Sequence, residues 1–250
     1  MTKSVQFFTK FAVALTITIL FSSCYFNSKG LNIGKGIAGS GNITKETRTV
    51  GEMFTKIEVK QGIQLFVEQS NDKSIVVETD DNLQKIITTT VENGVLIIEA
   101  DESFDATNGG PKVTVKLPTI NGLEASSGSN IKSNNTLISD NLQVKSSSGS
   151  TVDLNVEADV LTLESSSGSD LKANGKALKL ETNASSGSKI DARNLLANEV
   201  DAQASSGSDT NVAPILNLKA KASSGSSINY YKVPKTINKT ESSGGNVSEN

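Results

Sequence analysis

Histidine and tryptophan are absent from this 250-residue chain, aromatic residues make up 4% of it, and Cys24 is its one cysteine. Each shortage narrows the field. Without histidine, the commonest general base near neutral pH is missing, so acid–base chemistry would have to rest on carboxylates, lysine, serine or tyrosine. A single cysteine cannot close an internal disulfide, and no Cys/His cluster exists to hold zinc or an iron–sulfur centre. The formal net charge is −3 with both signs interspersed. That leaves no basic patch for a phosphate backbone, so no nucleic-acid partner is expected. No metal or cofactor is expected either. So few aromatics also argue against a thick core of large side chains. The apolar content is mainly Val, Ile, Leu and Ala, which suits thin, layered β-structure.

Residues 1–23 read as an export signal. Lys3 and Lys10 supply positive charge, Phe11 to Phe21 is apolar but for two threonines, and small Ser22 and Ser23 precede Cys24. The stretch is short for a transmembrane helix. It resembles a bacterial lipoprotein signal, with Phe21, Ser22, Ser23 and Cys24 in the lipobox positions and Phe where that pattern prefers Leu. The resemblance implies lipid attachment at Cys24, by acyl chains of the palmitate type, as the new N-terminus. Several chains on one residue hold a protein to a membrane where one is marginal. Residues 24–38 then read as the lipidated N-terminus and a tether rich in Gly and Asn. Related Bacteroidota-type lipoproteins that reach the cell surface carry an acidic run after this cysteine; none follows Cys24, so the resemblance implies a periplasm-facing outer-membrane lipoprotein over a surface-exposed one.

The second half, residues 123–250, is organised by a repeat. Ser-Ser-Gly-Ser occurs at 126–129, 147–150, 166–169, 185–188, 205–208 and 223–226, with Ser-Ser-Gly-Gly at 242–245. The glycines Gly128, Gly149, Gly168, Gly187, Gly207, Gly225 and Gly244 are spaced 21, 19, 19, 20, 18 and 19 residues apart. A period kept this closely marks one structural unit per repeat. Apolar residues alternate on both sides of the motif. Leu142, Leu161, Leu180, Val200 and Leu218 lie four residues before its small leading residue, and Ile131, Val152, Leu171, Ile190, Thr210 and Ile228 lie two after it. Period two means strands with one buried face, so a strand of about five residues should enter each corner and another leave it. The expected fold class is therefore all-β, a parallel β-helix-like solenoid with ~19-residue coils stacked at about 4.8 Å. A leucine-rich repeat fits poorly, because Ser-Ser-Gly-Ser falls in the wrong place. Glycine permits positive φ at a sharp bend. Serine hydroxyls can satisfy backbone groups freed there, within a coil and between coils. These serines read as architecture ahead of a sugar-binding groove, and Gly128, Gly149, Gly168, Gly187, Gly207 and Gly225 as turn glycines.

Residues 39–122 lack the repeat but carry strand signals at Ile57–Val59, Ile63–Val67, Ile75–Glu78, Val95–Glu99 and Val113–Leu117. Glu92-Asn93-Gly94 reads as a hairpin turn. Two layouts are open: longer, irregular coils of the same solenoid, or a small sandwich that caps its end. Some cap is required, since a stack of coils otherwise exposes an unpaired strand edge.

Over roughly residues 39–235 the chain resembles the DUF2807 family, the "putative auto-transporter adhesin, head GIN domain". The likeness rests on Gly39-Ser40-Gly41-Asn42-Ile43 and on Phe54-Thr55-Lys56-Ile57-Glu58-Val59 leading to Gly62-Ile63-Gln64, where the family has Gly-Ile-Asn. It continues through Val113-Thr114-Val115-Lys116-Leu117-Pro118 and the serial corners. The resemblance implies a right-handed β-helix-like fold in an exported Bacteroidota protein, often lipid-anchored, and no established activity. The expected function is a non-enzymatic structural, adhesive or ligand-binding role in the cell envelope. Its expected partners are the membrane, through the lipid, and a glycan or an envelope protein. A carbohydrate-active β-helix enzyme is the first alternative, but the row after the motif (Asn130, Thr151, Asp170, Lys189, Asp209, Ser227) mixes charges instead of clustering acids. Asp153 and Asp191, read as neighbouring rows, are two coils apart, too far for a calcium site. A periplasmic sensory stalk is the second alternative. No catalytic residue is assigned.

Overall fold

The structure, a computed structural model, describes residues 36–106 and 109–250. The expected export signal, Cys24 and the tether up to residue 35 lie outside the described residues. All regular structure within them is β. The first ten strands are β1 (Ile37–Ala38), β2 (Ile43–Arg48), β3 (Lys56–Val59), β4 (Gln64–Gln69), β5 (Ser74–Asp80), β6 (Ile87–Glu92), β7 (Val95–Ala100), β8 (Phe104–Asp105), β9 (Lys112–Leu117) and β10 (Gly122–Ala125). Five long ones follow: β11 (Asn130–Ser146), β12 (Thr151–Ser165), β13 (Asp170–Ala184), β14 (Lys189–Ala204) and β15 (Asp209–Ser223). The chain ends with β16 (Ser227–Tyr230), β17 (Thr236–Ser242) and β18 (Asn246–Glu249).

The repeat builds a solenoid of parallel coils in the register that the alternation implies. Ile131, Val152, Leu171, Ile190, Thr210 and Ile228 stack directly on one another, and all are buried. So are Leu142, Leu161, Leu180, Val200 and Leu218. One detail differs from expectation: the chain between corners is a nearly unbroken strand of 15 to 17 residues, not two short strands. The bends are bulges, at which the register slips between Lys132 and Thr136, Lys172 and Asn174, Ala192 and Leu196, and Ala197 and Glu199. A bulge turns the strand while the ladder to the next coil resumes beyond it. Each slip also changes the phase of burial. In β14 the inward residues are Ile190 and Ala192, then Leu195 and Ala197, then Val200, Ala202 and Ala204. A coil therefore has three inward-facing sets, called here its first, second and third sides in chain order.

The first half joins the same stack, but out of chain order. On the third side, β10 lies on β3 and β3 on β7; on the first side, β11 lies on β4 and β4 on β9. The coil made of β3 and β4 is thus enclosed between one whose paired residues follow it by 39 to 48 positions and one whose paired residues follow it by 66. Both layouts left open by the sequence are partly realised, because antiparallel strands then close the outer end. β6 pairs antiparallel with β7 through the Asn93-Gly94 hairpin, β5 pairs with β9, and β2 with β5. Both hairpin residues have positive φ, as that turn requires.

At the opposite end, Lys239 continues the inward row of Ala202 and Ala220, and Glu241 that of Ala204 and Ala222. Lys239 sits 4.7 Å over the Tyr230 ring and donates to the Val247 carbonyl, while Glu241 accepts from the Val247 N–H. Inward-pointing charge on a terminal strand opposes edge-to-edge growth. The end of the expected tether belongs to this body, since Ile37–Ala38 pairs with Phe104–Asp105. Residues 36–250 form one compact unit with its own core and both ends closed, the attributes of an independently folding domain.

Candidate functional site

The corner forms one edge of the solenoid. In each Ser-Ser-Gly-Ser the second serine and the glycine both have positive φ, 53–54° and 68–72°, and the closing N–H donates to the first serine's carbonyl, as in Ser188 to Ser185. This is a type I′ turn. Gly128, Gly149, Gly168, Gly187, Gly207 and Gly225 each donate an N–H to the second serine of the next corner, for example Gly187 to the Ser206 carbonyl at 3.0 Å. The closing serines Ser129, Ser150, Ser169, Ser188, Ser208 and Ser226 are buried, and each hydroxyl donates to a carbonyl of the preceding coil, as Ser188 does to Ser165 at 2.7 Å. The same hydroxyl accepts from the N–H that opens its own turn. These serines are structural.

The sequence reading missed one corner. Lys60-Gln61-Gly62-Ile63 has Gln61 and Gly62 at positive φ, and the Gly62 N–H donates to the Ser127 carbonyl. Gln61 and Ile63 replace the serines, so a search for the motif could not find it; the Gly62-Ile63-Gln64 signature was its trace.

The outward rows of the first and third sides hold acids against bases. Lys145 bonds Glu164 at 3.3 Å and Lys219 bonds Asp201 at 2.8 Å, each pair spanning neighbouring coils. Asp170, Lys189 and Asp209 follow one another in a row. Asp153 and Asp191 also share a row, with Lys172 between them; the sequence reading had put them on separate rows. Where two acids face each other, as Glu58 with Glu124 and Glu181 with Asp201, lysines attend them. Lys60 bridges Glu58 and Glu99, and these hydrogen bonds and charges raise its pKa against the opposing effect of burial. Among the described residues, no group of three or more His, Cys, Asp or Glu side chains lies close enough to hold a metal ion.

Concave surface lies along the second side and its junction with the third. One groove, of about 610 Å³, runs beside the 49–55 loop and is lined by Val50, Met53, Phe54, Ile75, Leu117 and Pro118 with Arg48, Lys73 and Lys116. A second, of about 640 Å³, is rich in amides and hydroxyls, among them Asn121, Ser139, Asn141, Gln143 and Thr162. Gln69 fixes its wall. The Gln69 side chain pairs with both the N–H and the carbonyl of Ile138, and the Asn135 side chain returns the same pattern to the Gln69 backbone. This clasp holds the coil that is two residues longer than most.

The opening Gly39-Ser40-Gly41-Asn42 packs on the turn Asp80-Asp81-Asn82. Gly41 N–H donates to Asp80, Ser40 and Asn42 side chains donate to Asp81, and Asn82 accepts from the Ser40 N–H. These hydrogen bonds hold the Asp81 pKa below its usual value, with Ser40 the largest cause. A side chain at Gly39 would collide with the Asp80 carboxylate, its Cβ lying 2.5 Å away.

The family model described as "Putative auto-transporter adhesin, head GIN domain", DUF2807, matches residues 53–234. This chain belongs to that family. A search of the curated proteins finds no match to it. Among solved structures, the DUF2807 chain resembles one described as a putative adhesin from Bacteroides fragilis, 24% identical with a TM-score of 0.80, covering 86% of this chain and 100% of that one. A putative adhesin from Parabacteroides distasonis is 22% identical, with a TM-score of 0.70 and coverage of 86% and 99%. A second protein from that organism, described as a putative lipid binding protein, is 17% identical with a TM-score of 0.68 and the same coverage. At these identities the likeness is one of fold.

Proposed function

We propose that this DUF2807 chain is a lipid-anchored, non-enzymatic protein of the cell envelope that holds a glycan or an envelope protein on the long sides of its solenoid. The observation that carries the reading is the disposition of titratable side chains. Acids and bases meet coil by coil and neutralise one another in the stack, instead of converging on one point with unlike environments, as acid–base catalysis requires. Membership of an adhesin-named family supports the same reading, and the lipobox-like Phe21-Ser22-Ser23-Cys24 supports the anchor, with the body facing the periplasm.

A glycan array probed with residues 36–250, run beside lyase and hydrolase assays on acidic polysaccharides, tests the binding role. Specific retention without product is expected, and turnover would refute it. Incorporation of a fatty-acid probe into the full chain, lost in Cys24→Ala, is the expected sign of the anchor.

A further inference from the structure

The second side differs from the other two in what it exposes. Eight large apolar side chains are exposed among the described residues, and six belong here. Ile138, Leu178, Leu196 and Ile215 are on the strands, while Met53 and Val233 lie in the loops 49–55 and 231–235 that take the same place in their coils. Scattered single apolar side chains are ordinary on a protein surface, but their gathering on one side is informative.

One row on this side runs Ile138, Glu157, Lys176, Leu196 across four successive coils. Ile138 is 64% and Leu196 39% exposed, and the side chains of Lys176 and Glu157 are 67% and 44% exposed. The order is apolar, acid, base, apolar, so the row is complementary to itself reversed. Consider a two-fold axis lying in this face, parallel to the strands and midway between Glu157 and Lys176. It sets Ile138 against Leu196 of a second copy and Glu157 against Lys176 of that copy, and each contact occurs twice. The adjoining row, Thr136, Asn155, Asn174 and Asn194, then meets its own reversal with the amides of Asn155 and Asn174 opposite each other and the Thr136 hydroxyl opposite the Asn194 amide.

We propose that the second side is a contact between two copies of this chain, packed face to face with their coils running in opposite directions. The inference is independent of the lipid anchor and of any ligand. Ile138 and Leu196 are three coil spacings apart, about 14 Å. Such a contact falls at the small end of specific interfaces, so the dimer is weak, of micromolar affinity or weaker.

Sedimentation velocity of residues 36–250, at concentrations up to about 1 mM, reads this directly. The unmodified body is expected to pass from monomer to dimer. Lys176→Glu makes both central groups acidic, and Glu157→Lys makes both basic, so each variant alone dimerises at least tenfold more weakly. An equimolar mixture of the two regains a 1:1 heterodimer, because every acid of one copy now faces a base of the other. Both substitutions break the ion pair within the chain, and mixing does not repair it, so rescue reads only the contact between copies. Ile138→Ser with Leu196→Ser abolishes the dimer and leaves the melting temperature unchanged, both positions being exposed. A body that stays monomeric throughout, single-charge variants that dimerise as the parent does, or a mixture without rescue each overturns the proposal.

Discussion

Thr210 sits in a row that otherwise holds Ile131, Val152, Leu171, Ile190 and Ile228. It is fully buried, and its hydroxyl has no hydrogen-bond partner. Thr210→Val replaces that hydroxyl by a methyl of nearly the same shape. A buried polar group without a partner costs about 1–3 kcal/mol, and one extra buried methyl contributes about 0.8 kcal/mol at full effect. Allowing for imperfect packing, the variant should be more stable by about 1–2 kcal/mol. Urea unfolding of residues 36–250, followed by far-UV circular dichroism, should show a higher midpoint with an unchanged slope. Thr151→Val, on the exposed row beside it, should change stability by less than about 0.5 kcal/mol and serves as the control. The reverse change in the same row, Val152→Thr, should lose what Thr210→Val gains. If Thr210→Val left the midpoint unmoved or lowered it, the argument that stacking apolar rows drives this fold would fail at its most favourable test.

Three further outcomes are expected. Gly187 is at φ +68° with open space where a Cβ would stand, so Gly187→Ala costs only the left-handed backbone, about 1–2 kcal/mol, with Gly187→Val worse. At Gly175, φ +122°, a Cβ would lie 2.1 Å from the Val156 carbonyl oxygen, so thermal melts should show Gly175→Ala losing more than Gly187→Ala. Gln69→Ala removes both side-chain hydrogen bonds to the exposed Ile138 backbone, where water can replace them, and should destabilise by roughly 1–2 kcal/mol, each net hydrogen bond contributing about 0.5–1.5; faster hydrogen exchange at the Ile138 amide would report it. The depressed Asp81 pKa gives a contribution present above the unfolded-state value near 3.8 and lost as pH falls through the lower folded value. Protection at Ser40 to Asn42, taken relative to the intrinsic exchange rate at each pH, should therefore fall on acidification, and Asp81→Asn should abolish that change in protection.

The corners and the two alternating runs beside them were legible in the sequence because their rule is local. Positive φ wants glycine, a buried face wants every second residue apolar, and the period follows. Gln61-Gly62 escaped because backbone geometry alone defines that corner and its side chains differ. The order of the first-half coils escaped for another reason. β3 is closed in by β7 and β10, and no composition signal says that a strand will lie between two that are made after it. Continuous strands were read as short ones because a bulge breaks periodicity without breaking the ladder. The Gln69–Asn135 clasp and the packing of Gly39-Ser40-Gly41-Asn42 on Asp80 join residues 66 and about 40 apart. Polar residues in turns give no sign of such partners.

These successes and misses divide the solenoid by side. The first and third sides carry strict registers, and the corner between them carries two hydrogen-bond ladders, so substitutions there are felt by the coils on either side. All four register slips fall at the second side or at its junctions, as do Pro214 and Gly175. A chain segment that already tolerates slips can change length and outward chemistry without unstacking its neighbours. One groove runs along this side and the other spans its junction with the third, and the self-complementary row Ile138, Glu157, Lys176, Leu196 lies on it as well. Recognition in this fold is therefore expected on its least regular side, away from the serine corners that make the repeat visible.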